Sequence, residues 1–329
     1  MNKCAKIGFL AVILITKLSF SAFAQATDLA DLQRAASNFS SSIAESLPLN
    51  ASLGLNWSDA HIGRIFPGFP PSFGVGVSAG VTTIELSDVE ALATQLGFGG
   101  NLPNMTRMPF PGYTAEVRIG GFILPFDVGF KFGYLPSLDL ADFHIDYFLI
   151  GGDIRYAILN RPFLPRISIG VGFNYMRGGV GGRVGADQTF DFVTPDGINR
   201  YITLESPNVD LNWRTRSLDF RVQVSHSFFI VTPYIGLGVS YAWSRAGYEV
   251  RANVSGDIDE VADYLRELGL DGMNVSDTRI SSHVNNTALG LRAFGGISLN
   301  LAVFRLDFTG LYSFLDGNYG ASIGFRFQL

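Results

Sequence analysis

With 329 residues, 47% of them hydrophobic and only 16% charged, the chain is too apolar for a disordered segment and must either cross a membrane or enclose a large core. A formal net charge of −5 without any basic run argues against nucleic acid as a partner. Cys4 is the only cysteine and falls within the expected leader, so the mature chain is expected to be cysteine-free, without a disulfide framework, a thiolate nucleophile or a zinc–thiolate site.

In chain order, Lys3 and Lys6 precede the apolar stretch Phe9 to Phe23, and Ala22-Phe23-Ala24 stands ahead of Gln25. This is the pattern of a cleaved export signal over residues 1–24. Lys17 interrupts the stretch and leaves it short of the roughly 20 residues a membrane anchor needs. Beyond the leader, Lys131 is the only lysine, so arginine carries almost all of the positive charge. Residues 25–49 form a helical segment, because Leu29, Leu32, Ala36, Phe39 and Ile43 fall at helical spacing over Asp28 to Ser46; it suits a periplasmic cap, a plug or a frayed leader. The barrel described next is expected over residues 50–329.

Among later segments the best candidate for a spanning helix, Phe228 to Trp243, is broken by Pro233, Gly236 and Gly238 and is too short. Alternation with period two recurs instead. Tyr113, Ala115, Val117 and Ile119 oppose Thr114, Glu116, Arg118 and Gly120, and Phe126, Val128, Phe130 and Phe132 oppose Asp127, Gly129, Lys131 and Gly133. The same pattern runs through Ile167 to Tyr175, Phe304 to Tyr312 and Tyr319 to Leu329, with further strands expected at Ser72 to Ile84, Phe143 to Ile158, Val209 to Ser225, Pro233 to Ala246 and Asn286 to Leu299. The polar face is mostly Gly, Ser and Asn with opposed Arg and Asp, which suits a confined interior better than bulk water. The apolar face carries Tyr134, Tyr156, Tyr175, Trp213, Tyr241, Trp243 and Tyr312, as aromatic belts at headgroup depth require.

Connection lengths alternate as well. Short turns are expected at Leu124-Pro125, Leu159 to Pro165, His226 to Thr232 and Asn300 to Ala302, and long loops at Glu85 to Pro111, Gly178 to Asn208 and Val250 to Ser282. The predicted fold is therefore all-β: a transmembrane antiparallel up-and-down barrel of 10 to 12 strands, with an N-terminal helix and helix-bearing outer loops at Val89 to Leu96 and Asp257 to Leu270. The ten clear strands start at Ser72; Asn50 to Ile65 and a hairpin over Gln188 to Glu205 are the candidates for more. Phe143 to Ile158 changes face, which predicts a bulge at Gly151-Gly152.

The inward positions gather eight bases, Arg118, Lys131, Arg155, Arg166, Arg221, Arg292, Arg305 and Arg326, against five acids, Glu116, Asp127, Asp153, Asp219 and Asp307. These are the candidate lumen-lining residues. Facing Arg and Asp rows either fill a narrow interior with paired charge or line an anion-preferring constriction. His226, between Ser225 and Ser227 with Asp219 upstream, admits a hydrolase reading, but it falls at a short turn, and no enzyme is expected. No histidine pair has metal-ligand spacing, and the glycine patterns lack the lysine and helix of a phosphate loop, so no metal or cofactor is expected.

Through its leader and its last strand, Tyr319 to Leu329, the chain resembles the outer-membrane β-barrels of diderm bacteria. In that class an alternating last strand is the assembly signal, which the resemblance carries onto Tyr319, Ile323, Phe325, Phe327 and Leu329; here Leu329 replaces the usual terminal aromatic residue. The N-terminal helix and apolar exterior look loosely like the long-chain fatty-acid and hydrocarbon transporters. The resemblance implies a location in the bacterial outer membrane and passive passage of small or apolar solutes. The alternative is a closed structural or surface-interaction barrel acting through its outer loops. Expected partners are outer-membrane lipid, the barrel-assembly machinery and an unidentified small solute.

Overall fold

Residues that alternate between β-branched or aromatic and small or polar types fit a pleated surface with two different solvents on its faces. The computed structural model describes residues 26–62, 72–85, 107–120, 125–140, 143–161, 163–183, 188–193, 198–257, 274–276 and 279–329. The expected leader and the loop helix at 89–96 lie outside the described residues, as does all but Asp257 of the loop helix expected at 257–270.

Among the described residues one helix, α1 (Ala26–Ala51), precedes twelve strands: β1 (Ser72–Glu85), β2 (Arg107–Gly120), β3 (Phe126–Leu140), β4 (Phe143–Leu159), β5 (Arg166–Arg183), β6 (Gln188–Val193), β7 (Asn199–Ser225), β8 (Val231–Gly256), β9 (Asn274–Ser276), β10 (Arg279–Leu301), β11 (Phe304–Ser313) and β12 (Tyr319–Gln328). Antiparallel pairing passes from β1 through β5 to β7, β8, β10, β11 and β12. It closes where β12 pairs β1 from Gly74↔Gln328 to Thr82↔Gly320. Among the described residues this is a closed ten-strand antiparallel barrel, in which every ring strand pairs a neighbour on each side over at least part of its length. The hairpin expected over 188–205 exists, but outside the ring: β6 pairs only the start of β7, and β9 pairs the start of β10.

The short connections at 160–165, 226–230 and 302–303 share one rim with the start of β1 and the end of β12. Toward the opposite rim β7, β8 and β10 run to 27, 26 and 23 residues against 10 in β11. A strand needs only about 9–11 residues to cross a bilayer, so these three form a tall wall beyond the mouth. Outward side chains such as Val77, Phe130, Ile154, Phe220, Ile235 and Leu289 are exposed on six different strands.

Four expectations need correction. Residues 52–62 are not a barrel strand: they run irregularly inside the ring, with Gly54 and Leu55 at positive φ, and the ring begins at Ser72 rather than near residue 50. There is no bulge at Gly151-Gly152, since pairing is continuous from Lys131↔Gly151 to Phe130↔Gly152; the register shifts instead lie at Leu135/Leu138 and Ala157/Leu159. Tyr147 and Leu149 are apolar because they face inward onto α1, not because the strand flips. Trp213 likewise leaves the expected belt for the interior, edge-on to Phe110 at 5.3 Å. Finally, α1 continues through Pro48 to Ala51, past the Ser46 at which a proline would ordinarily end a helix.

Candidate functional site in the barrel lumen

The lumen has two zones. In the zone nearer the long loops, Ile84, Tyr147, Leu149, Met176, Leu211 and Ala246 pack on Ile43, Ala44, Leu47 and Ala51 of α1. Here the helix brings an apolar face into the barrel and the wall answers with apolar side chains. Nearer the short turns the wall is charged, and a different part of the chain meets it.

Every residue from Ser46 to Ile62 is buried, so the part without regular structure, 52–62, must satisfy its backbone groups on the wall. Lys131 donates to the carbonyls of Ala51 and Leu53, both at 2.7 Å. Placed at the end of α1, its ammonium caps free carbonyls and complements the negative end of the helix dipole. Arg221 donates to Leu55 O at 3.3 Å, Gln223 to Trp57 O and Ser58 O at 2.7 and 3.1 Å, and Arg155 to Asp59 O at 2.8 Å. The backbone N–H of Ala60 reaches Ser225 Oγ at 3.0 Å, and that of Ile62 reaches Asp127 at 2.8 Å. Gly120 makes the last contact possible in space: a Cβ there would stand 1.8 Å from Ile62 O.

The side chains of the segment complete the charge pattern. Asp59 lies 3.0 Å from Arg166, 3.2 Å from Arg326 and 3.7 Å from Arg305. It supplies an acid to a wall with more bases than acids. Trp57 donates to Glu116 at 2.5 Å and lies between two cations, Arg326 at 4.6 Å and Arg118 at 5.6 Å from its ring; a desolvated cation over an indole contributes about 2 kcal/mol.

The structure brings most of the sequence-predicted lumen residues into this one network. Asp127 accepts from Arg118 (2.5 Å) and Arg155 (2.7 and 2.8 Å) and lies 3.1 Å from His61 Nδ1. Asp153 pairs with Arg118 at 2.7 Å and with Arg221. Asp219 pairs with Arg292 at 2.6 Å and Asp307 with Arg326 at 2.7 Å. Glu116 also accepts from Thr114 (2.8 Å) and Ser78. Arg166 is the member least enclosed, at the short-turn rim. Asp219 is engaged by Arg292 and Asn174, while the ring of His226 stacks edge-on to Phe228 at 4.3 Å; the Asp219–His226 grouping is not assembled.

The sequence reading missed Asn50, Trp57, Asp59 and the burial of 52–62. The signal was there: three more bases than acids on an enclosed wall call for electronegative filling from elsewhere. That filling leaves little space. The cavity beside Trp57, bounded by Gly54, Asn56, Gly76, Glu116 and Arg326, measures about 10 Å³, room for a single water. In the last strand Tyr319, Ile323, Phe325 and Leu329 are exposed outward and Phe327 is partly so.

The fold is a closed ten-strand antiparallel β-barrel, apolar outside and filled inside by its own N-terminal segment. The chain belongs to the Lsa36-like family, whose model matches residues 67–329. No curated protein matches it. Among solved structures it is similar to the outer-membrane protease OmpT from Escherichia coli (9% identity, 79% of this chain and 97% of that one, TM-score 0.41). It is also similar to the translocator domain of the autotransporter NalP from Neisseria meningitidis (10% identity, 88% and 99%, TM-score 0.36). A third is the toluene transporter TbuX from Ralstonia pickettii (10% identity, 79% and 89%, TM-score 0.26).

Proposed function

We propose that this protein resides in a bacterial outer membrane as a sealed barrel and acts through the surface at its long-loop end rather than as an open pore. One observation carries the reading: the unbroken burial of Ser46 to Ile62, bonded to wall residues of β2, β3, β4, β5, β7 and β12. The exposed apolar band supports the membrane setting, because water-soluble monomers rarely expose contiguous apolar patches beyond a few hundred Å². Lipid then covers that band, the short turns face the periplasm and the long loops face outward, with Tyr319 to Leu329 as the strand offered to the assembly machinery. Passive passage of small or apolar solutes, the alternative, requires residues 43–62 to withdraw and about a dozen buried bonds to be exchanged for water.

Single-channel recording on the purified full chain in a planar bilayer tests this. Quiet traces are expected; steady openings of reproducible conductance would overturn the sealed reading in favour of passage.

A further inference from the structure

The contacts of the luminal segment follow its sequence in strict order down the barrel. Near the long-loop rim, Glu45 meets Asn286 at 3.1 Å, and Ser46 meets Asn318, beside the β11–β12 turn, at 3.0 Å. Asn50 donates to Thr82 and Phe110 O, both at 3.0 Å. Trp57 meets Glu116 lower down, Ala60 meets Ser225 at the last residue of β7, and Ile62 meets Asp127 at the second residue of β3. The chain thus enters at the long-loop mouth and reaches the short-turn rim at Ile62, on the side where β1 begins.

Direction follows from this order. The helix between Glu45 and Ala26 continues away from the short-turn rim, and at about 1.5 Å per residue it extends roughly 28 Å further. Taken over its whole length, α1 packs mainly on β10, β8, β7 and β1. Glu45 and, two helical turns further out, Asn38 are exposed while Ser40 is buried, so from the rim outward one side of the helix is open to solvent. Lys131 at the C-terminal end of α1 holds the opposite end deep in the barrel.

We infer that α1 threads the barrel from the outside inward, so that its N-terminal part, from Ala26 to about Asn38, is displayed on the outer face of the membrane while Ile62 stands at the periplasmic rim. This rests on the membrane orientation proposed above. The consequence is an additional outward-facing element, a helix end projecting beside the long loops and free to make contacts outside the cell.

The test is cysteine accessibility in the full chain with Cys4→Ser, using a membrane-impermeant maleimide on intact and on permeabilised cells, read only on the band that is heat-modifiable and hence folded. Ala26→Cys and Asn38→Cys report the inference. Leu315→Cys, in the exposed β11–β12 turn, and Phe163→Cys, in the exposed β4–β5 turn, report the orientation. Expected is modification of the first three on intact cells and of Phe163→Cys only after permeabilisation. If Leu315→Cys reacts on intact cells while both helix sites need permeabilisation, the threading direction is wrong. If Phe163→Cys reacts on intact cells and Leu315→Cys does not, the orientation fails, and outward display falls with it.

Discussion

Asp59 carries more of the interior than any other single residue outside the strands. Three arginines converge on it, and its side chain is 2% exposed. Removing one partner of a buried ion pair leaves an uncompensated charge and costs about 3–5 kcal/mol. Asp59→Asn is therefore expected to lower the unfolding free energy of the detergent-folded protein by that amount, seen as a lower urea midpoint by tryptophan fluorescence; an unchanged midpoint would show that the arginines find other partners. Gly54 is constrained differently. Its φ is +80°, and a Cβ there would lie 2.4 Å from Thr114 Oγ1 and 2.9 Å from Glu116. Gly54→Ala combines left-handed strain of about 1–2 kcal/mol with that clash, so in the same denaturation experiment it should destabilise where an ordinary glycine-to-alanine change would not.

At the scale of elements, α1 is held by its apolar face rather than by intrinsic helix strength, since Pro48 sits within it. Leu47 is fully buried against the wall, and Leu47→Ala should cost about 2–5 kcal/mol and loosen the helix selectively. Hydrogen exchange would then rise in 40–51 before it rises in β3 or β4; simultaneous loss across all of these would mean that helix and wall unfold as one. All ten ring strands were legible in the sequence where lipid and lumen impose opposite chemistry on successive side chains, and their short-turn ends fall within a few residues of the expected ones. At the long-loop ends β5, expected to stop at Tyr175, runs on to Arg183, β7 starts at Asn199 rather than Val209, and β8 reaches Gly256 rather than Ala246. Legibility failed where that contrast vanished. Tyr147, Leu149 and Trp213 face inward yet are apolar, and only the arrival of α1 in the lumen explains them. Residues 52–62 carry no periodicity at all, because their bonds are scattered over side chains of β2, β3, β4, β5, β7 and β12 rather than made to a repeating lattice.

For the whole molecule, the proposed sealing depends on charge pairs excluded from solvent. Raising salt to 1 M shortens the screening length to about 3 Å but acts mainly on exposed pairs. The bilayer is therefore expected to stay quiet from 0.1 to 1 M KCl; channels appearing only at high salt would mean the luminal segment is held by accessible charge. From the amino-acid order alone came the class of fold, the strands and the inventory of inward charges, since these follow from local alternation and need no knowledge of neighbours. Whether those charges line an opening or grip a filling is a question of what occupies the enclosed space. Only the tertiary structure decided it, because Asp59, Trp57 and the carbonyls of 51–59 become partners of Arg326, Gln223 and Lys131 across sequence separations that no local pattern encodes.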